Sequence, residues 1–233
     1  TSLTYAMEAG TQRLRDVINK GITEENLMSS VSDAFAGGWS SVKLYFMFGL
    51  PTETTEDLNG IADLASKVVR KYFETPKNVR ARGLRVNCSA SCFVPKPFTP
   101  FQWSPLCNTK ILKKRFKMLE TAFKKEKHIK LLTESLKETV LQAALARGNR
   151  KTGQFLLQAF TEGIPLKQAL KNSGLDIEKL AGAEYEPGCP LPWKHLDMGF
   201  KEAYLIKEWE NAKAQRFTPM CFDGCKRCGV CED

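Results

Sequence analysis

The stretch VKLYFMFGLPTET, Val42 to Thr54, decides how the rest of the chain is read. Val42 to Phe48 is a short, nearly continuous apolar run that Gly49-Leu50-Pro51 breaks at once. Flanked by helical patterns, such a run predicts a parallel strand buried on both faces. Behind it, Thr54 opens a helix. Glu56 and Asp57 lie in its first turn, and Leu58, Ile61, Leu64, Ala65 and Val68 fall along one face. Ahead of it, a helix starts at Thr23 and stops at Gly37-Gly38, a pair suited to a C-terminal cap. Glu24 and Glu25 complement the dipole of that helix in its first turn.

Further out, Ser2 to Met7 reads as a strand ended by Glu8-Ala9-Gly10. Thr11 then caps a short helix carrying Leu14, Val17 and Ile18. After a turn at Pro76, Leu84 to Val94 is a third strand, closed by Pro95-Lys96-Pro97. Alternating strands and helices predict βαβ units on a parallel sheet. Right-handed crossovers leave an open doubly wound sheet or part of a (β/α) barrel. Both folds bind ligands at the carboxyl ends of their strands, which singles out Glu8, the turn 49–53 and the segment 94–97.

The second half reads mostly as helix. Asn108 to Lys127 is basic and amphipathic. Leu112, Phe116, Leu119 and Phe123 form its stripe; Lys110, Lys113, Lys114, Arg115, Lys117, Lys124 and Lys125 crowd the remainder, read as a solvated face or an RNA site. His128 to Leu132 is a further strand or a link. Helices are expected over 134–146, 153–160, 166–172 and 201–214, with a Pro- and Gly-rich loop over 188–199 that contains Trp193, His195 and Asp197.

The chain has 233 residues, enough to bury a core, with 42% hydrophobic and 26% charged residues. No apolar run approaches a membrane-spanning length and no signal-peptide pattern opens the chain, so a cytoplasmic protein with no membrane partner is expected. Thr1 leads directly into a strand-like run, which reads as part of a longer protein. The net charge of +9 suits an anionic partner such as an RNA or ribosome-related substrate, although a solvated basic face gives the same number. Two histidines and no serine in a nucleophile turn leave no hydrolase triad.

There are eight cysteines. Cys88 and Cys92 share one face of the third strand and read as small core residues. Four crowd into CFDGCKRCGVC, Cys221 to Cys231. Cys221, Cys225, Cys228 and Cys231 supply four thiolates at short gaps, and four thiolates close a site. That suits structural zinc or an electron-carrying [4Fe–4S] cluster; four free or redox-active thiols are the remaining alternative.

Three stretches carry a resemblance: YAMEAGTQRLRDVINK (Tyr5 to Lys20), VKLYFMFGLPTET, and CFVPKPFTPF (Cys92 to Phe101). In this order they resemble the second half of a radical S-adenosylmethionine (radical SAM) barrel, as found in uncharacterised bacterial proteins with a cobalamin-binding domain ahead of the barrel. The resemblance implies an α/β fold: strands four to six of a partial (β/α)6 barrel over residues 1–105, a helical extension over 106–187, and a loop, helix and Cys-rich tail over 188–233. It implies S-adenosylmethionine held by Glu8 and Gly10 at the first strand end and by Lys20 at the cofactor's carboxylate. Tyr45, Gly49, Leu50 and Pro51 would lie near the adenine, with Val94 at the sixth strand end. It implies a catalytic [4Fe–4S] cluster bound before Thr1, generating a 5′-deoxyadenosyl radical, with the tail as a second metal site. The implied partners are the protein's own N-terminal region completing the barrel and a reductant such as ferredoxin or flavodoxin; cobalamin would come through an upstream domain. The alternative from another class is a basic RNA- or protein-binding module whose tail is stabilised by zinc on four cysteines.

Overall fold

Caps set the helices of the sheet region. In the computed structural model, which describes Ser2 to Cys231, Thr11, Thr23 and Thr54 each accept a backbone N–H in the first turn of the helix that follows. The helices are α1 (Gln12–Val17), α2 (Glu24–Ala36) and α3 (Thr55–Glu74). In α2 and α3 the third helical residue, Asn26 or Asp57, reaches back to the cap and closes a capping box. A cap of this kind contributes about 1 kcal/mol.

Between the helices run β1 (Leu3–Glu8), β2 (Ser41–Phe48), β3 (Arg85–Cys92) and β4 (Ile129–Thr133). All pair in parallel, in the spatial order β1-β2-β3-β4. The segment left open between strand and link is thus a fourth strand. It follows α4 (Thr109–Phe123), the basic amphipathic helix. Strictly sequential order with right-handed crossovers puts every connecting helix on the same face.

The burial pattern agrees and corrects one expectation. Val42, Leu44, Phe46 and Phe48 of β2 are buried, while Lys43 and Tyr45 between them are exposed. The strand is therefore buried on one face, because α2, α3 and α4 all pack on that side. On β3 the covered residues are Val86, Cys88, Ala90 and Cys92, so both cysteines are core thiols. Burial pushes the Cys88 thiol up to about 12, where it stays protonated. The open face carries in-register rows: Thr4, Lys43, Asn87 and Lys130, then Ala6, Tyr45, Ser89 and Leu132. Apart from Leu132 these residues are polar, small or aromatic, whereas the covered face of β2 and β3 is apolar throughout.

The chain divides into two units. The first holds the sheet: the segment up to Phe93, Thr109–Glu134 and Glu210–Pro219. The second comprises Val94–Asn108, Ser135–Trp209 and the tail from Met220. It contains α5 (Leu136–Ala146), α6 (Arg150–Thr161), α7 (Leu166–Ser173), α8 (Ile177–Ala181) and the residues of α9 (Glu202–Lys213) up to Trp209. Its core gathers Trp103, Leu191, Trp193 and Leu205. Arg147 is wholly buried there and donates to the carbonyls of Gln102 (3.1 Å), Ser104 (2.6 Å) and Ala183, with its guanidinium over the Tyr185 ring. Trp193 is anchored by its indole N–H on Gln102. Among the described residues no helix is long and apolar enough to cross a membrane.

Candidate functional site

The carboxyl ends of β1 and β2 carry two turns, and each is built by side chains that fold back on it. At β1 the register slips by one residue between Ala6 and Glu8. The bulge leaves Glu8 at φ 64°, in the left-handed region. Its half-exposed carboxylate faces the Lys20 ammonium at 3.8 Å, so these two sequence candidates do come together. Arg15, fully buried, donates to the Ala9 carbonyl and holds the turn from beneath.

Gly10 lies against the backbone of α3. A Cβ there would stand 2.2 Å from the Asp57 carbonyl oxygen and 2.4 Å from the Ile61 nitrogen. A Cβ on Gly60 would meet the Gly10 carbonyl at 2.6 Å. Two glycines thus let the β1–α1 turn lie directly against the backbone of α3.

The turn after β2 is closed more tightly. Gly49 sits at φ 82° and Thr52 at 64°. The Gly49 N–H donates to both oxygens of the Glu53 carboxylate, at 3.1 and 2.9 Å. That carboxylate is only 1% exposed. Arg115, reaching from α4, pairs with Glu53 Oε2 at 2.9 Å and donates to the Glu53 carbonyl at 2.9 Å. Burial pushes Glu53 up from 4.5 to about 7, against the Gly49 N–H and the Arg115 charge, with the nearby Asp57 carboxylate adding to the rise.

Asp57 itself is held below its usual range. Burial opposes this, but donors from Thr11, Thr54 and Arg13 together outweigh it. Arg13 pairs with Asp57 and also donates to the Thr52 carbonyl at 3.0 Å. Thr11 donates to Asp57 as well. The two sequence motifs EAGTQRLRDVINK and GLPTET are therefore parts of one assembly: Gly10, Thr11 and Arg13 of the first touch α3 and the turn supplied by the second.

Leu50 is buried at 2% and packs as core. Pro51 is half-exposed beside it. Tyr45 is 40% exposed on the open face, beside Ala6 of β1 and Ser89 of β3. Val94 is buried and opens the second unit. Arg115, read among a run of solvated lysines, is the site residue that the sequence reading missed. Its spacing gave the signal, because it lies three residues after Leu112 and four before Leu119, on the apolar side of α4.

In the second unit, Trp193 is core, His195 bonds the Pro192 carbonyl and Asp197 accepts from Gly199. The tail turns at Gly224 and Gly229, with φ of 75° and 86°. Arg227 donates to the Cys225 sulfur at 3.1 Å and to the Met220 carbonyl. The Arg227 hydrogen bond draws the Cys225 thiol down to about 7, while the hydrogen bond with Cys225 raises Cys221. Lys201 N–H donates to the Cys228 carbonyl and the Lys201 stem packs on Gly229, which ties the tail to the start of α9. Four thiols, one of them drawn toward the thiolate by Arg227, fit a soft metal chemically. Among the described residues, however, no three His, Cys, Asp or Glu side chains stand close enough to form a ligand set.

No family model matches the chain, and no solved structure matches it. An uncharacterized protein of Methanocaldococcus jannaschii is 34% identical over 195 residues, which is 84% of this chain and 40% of that protein. The chain thus spans about two-fifths of the length of the curated relative it matches.

Proposed function

We propose that the sheet unit is one side of a partial (β/α) barrel in a radical S-adenosylmethionine enzyme, with the open face of the sheet turned to the lumen. The observation that carries this reading is the sheet itself: four parallel strands in sequential order, helices on one side, and a mostly polar opposite face. A doubly wound sheet reverses its strand order and covers both faces. A barrel does neither, and an inner wall of Ala6, Tyr45, Ser89, Asn87 and Ser91 suits a hollow that holds a ligand better than a packed interior.

At the mouth of that hollow, Glu8 and Lys20 offer one acid and one base for the ribose and carboxylate of S-adenosylmethionine. Tyr45 offers an aromatic face, and the closed Gly49–Glu53 turn gives the adenine a fixed edge. The chemistry supplied by the cofactors is reductive cleavage of S-adenosylmethionine and hydrogen abstraction from a substrate. This chain binds and orients. Cys221, Cys225, Cys228 and Cys231 would hold the second metal, iron–sulfur or zinc. The upstream region would complete the barrel and carry the catalytic cluster.

A second reading is favoured by the exposed lysines of α4, Lys113, Lys114 and Lys117, with Lys124 just beyond: a basic RNA-binding module with a zinc-bound tail. One experiment separates the two. The full-length protein is reconstituted anaerobically, then assayed for iron, sulfide, zinc and S-adenosylmethionine binding by calorimetry. The enzyme reading expects iron with sulfide, and cofactor affinity reduced about tenfold in Glu8→Ala, as for loss of one charged contact. Zinc alone, no cofactor binding and steeply salt-dependent RNA affinity would overturn it.

A further inference from the structure

We propose that Arg115 is a positioning residue for the strand-end turn: from α4 it holds the ionised Glu53 carboxylate and so keeps Gly49–Glu53 closed. The inference deepens the cofactor reading of that turn and rests on it.

The geometry is specific to a guanidinium. One nitrogen pairs with the Glu53 carboxylate and the other donates to the carbonyl of the same residue, both at 2.9 Å. A lysine ammonium cannot span both acceptors as a rigid fork. Glu53 in turn has no route to water, being 1% exposed, so its charge must be met inside the protein. The groups that face it are the Gly49 and Leu50 N–H groups within the turn, Arg115 from α4, and Asp57 from α3. Asp57 is a like charge, already engaged by Arg13 of α1. Arg115 is therefore the cation that offsets Glu53.

This arrangement gives the latch a pH dependence with a definite sign. Glu53 titrates at about 7 in the closed turn, against an ordinary 4.5 for a solvated acid. The closed form binds the proton more tightly than an opened one. Its advantage is fully present below 4.5 and is lost as pH rises through about 7. Above that point a buried carboxylate is charged, and Arg115 is needed most. Below it the acid is neutral and Arg115 matters least.

The test is hydrogen–deuterium exchange of the full-length protein, followed on peptides covering 49–54 and corrected for intrinsic rates, with β1 and β3 peptides as internal controls. Arg115→Met should speed exchange of the turn about tenfold at pH 8 and change it less than about twofold at pH 6, the scale of one charged hydrogen bond lost or silent. Arg115→Lys should restore part of the protection at pH 8. Glu53→Gln should remain closed with no pH dependence, and adding Arg115→Met to it should cost only the bond to the residue-53 carbonyl, a small loss that is the same at pH 6 and pH 8. Equal loss at both pH values from Arg115→Met alone, or loss spreading through β1 and β3, would mean that Arg115 is merely structural and would overturn the proposal. If Arg115→Met does not yield folded protein, Glu53→Gln decides alone: a wild-type pH profile in that variant refutes the latch. S-adenosylmethionine titrated into the same samples reads the other layer. A wild-type protein that fails to bind it sinks the cofactor reading and leaves the exchange result standing.

Discussion

The two faces of the sheet are made from alternate residues of the same strands, yet they differ in chemistry. On β2, Val42, Leu44, Phe46 and Phe48 face the helices and are at most 2% exposed. Lys43 and Tyr45 face the other way and are open. This sheet therefore has one packed side and one open side. The helices of the chain supply all the burial the first face needs. The second face holds residue types that would be poor choices for packing, with Asn87, Ser89 and Ser91 in a row along β3.

The largest test of that contrast is Phe46→Ala. On a packed face it should cost about 3–5 kcal/mol in urea unfolding. A loss under about 1 kcal/mol would mean that the covered face is not the core. A smaller effect is expected at the glycine contact that seats the site on α3. Gly60→Ala gains helix propensity but drives a methyl into the Gly10 carbonyl, and should lower stability by about 1–3 kcal/mol. Stabilisation would show that the two backbones are not in contact. Smallest on stability is Tyr45→Ser, expected within about 0.5 kcal/mol of wild type. Under the proposed cofactor reading its effect should appear in S-adenosylmethionine affinity, and a variant as unstable as Phe46→Ala would show that the open face is packed after all.

Local grammar was legible. Thr11, Thr23 and Thr54 announce their helices because a cap is a contact between residues three apart, and the structure keeps all three. The strand at β2 was legible as an apolar run, but its one-sidedness was concealed. Tyr45 and Met47 are apolar enough to hide the alternation, and Lys43 was the single polar marker. β4 is five residues long and becomes a strand through pairing with β3, which no local pattern encodes. Of the site, the turn over 49–53 was legible from Gly49 and Pro51. What closes it was not, because Glu53 and Arg115 are 62 residues apart. The two motifs meet in space: Arg13 of one bonds Thr52 of the other.

Glu8 closes β1 in a backbone conformation that an L-residue adopts reluctantly, at a strain on the order of 1–3 kcal/mol. Glycine would sit there at ease. Selection for thermostability alone would replace Glu8 early and, in doing so, would discard the carboxylate that meets Lys20. If Glu8 meets S-adenosylmethionine as proposed, laboratory evolution for heat resistance, run with and without a demand for cofactor binding, would pull this position in opposite directions.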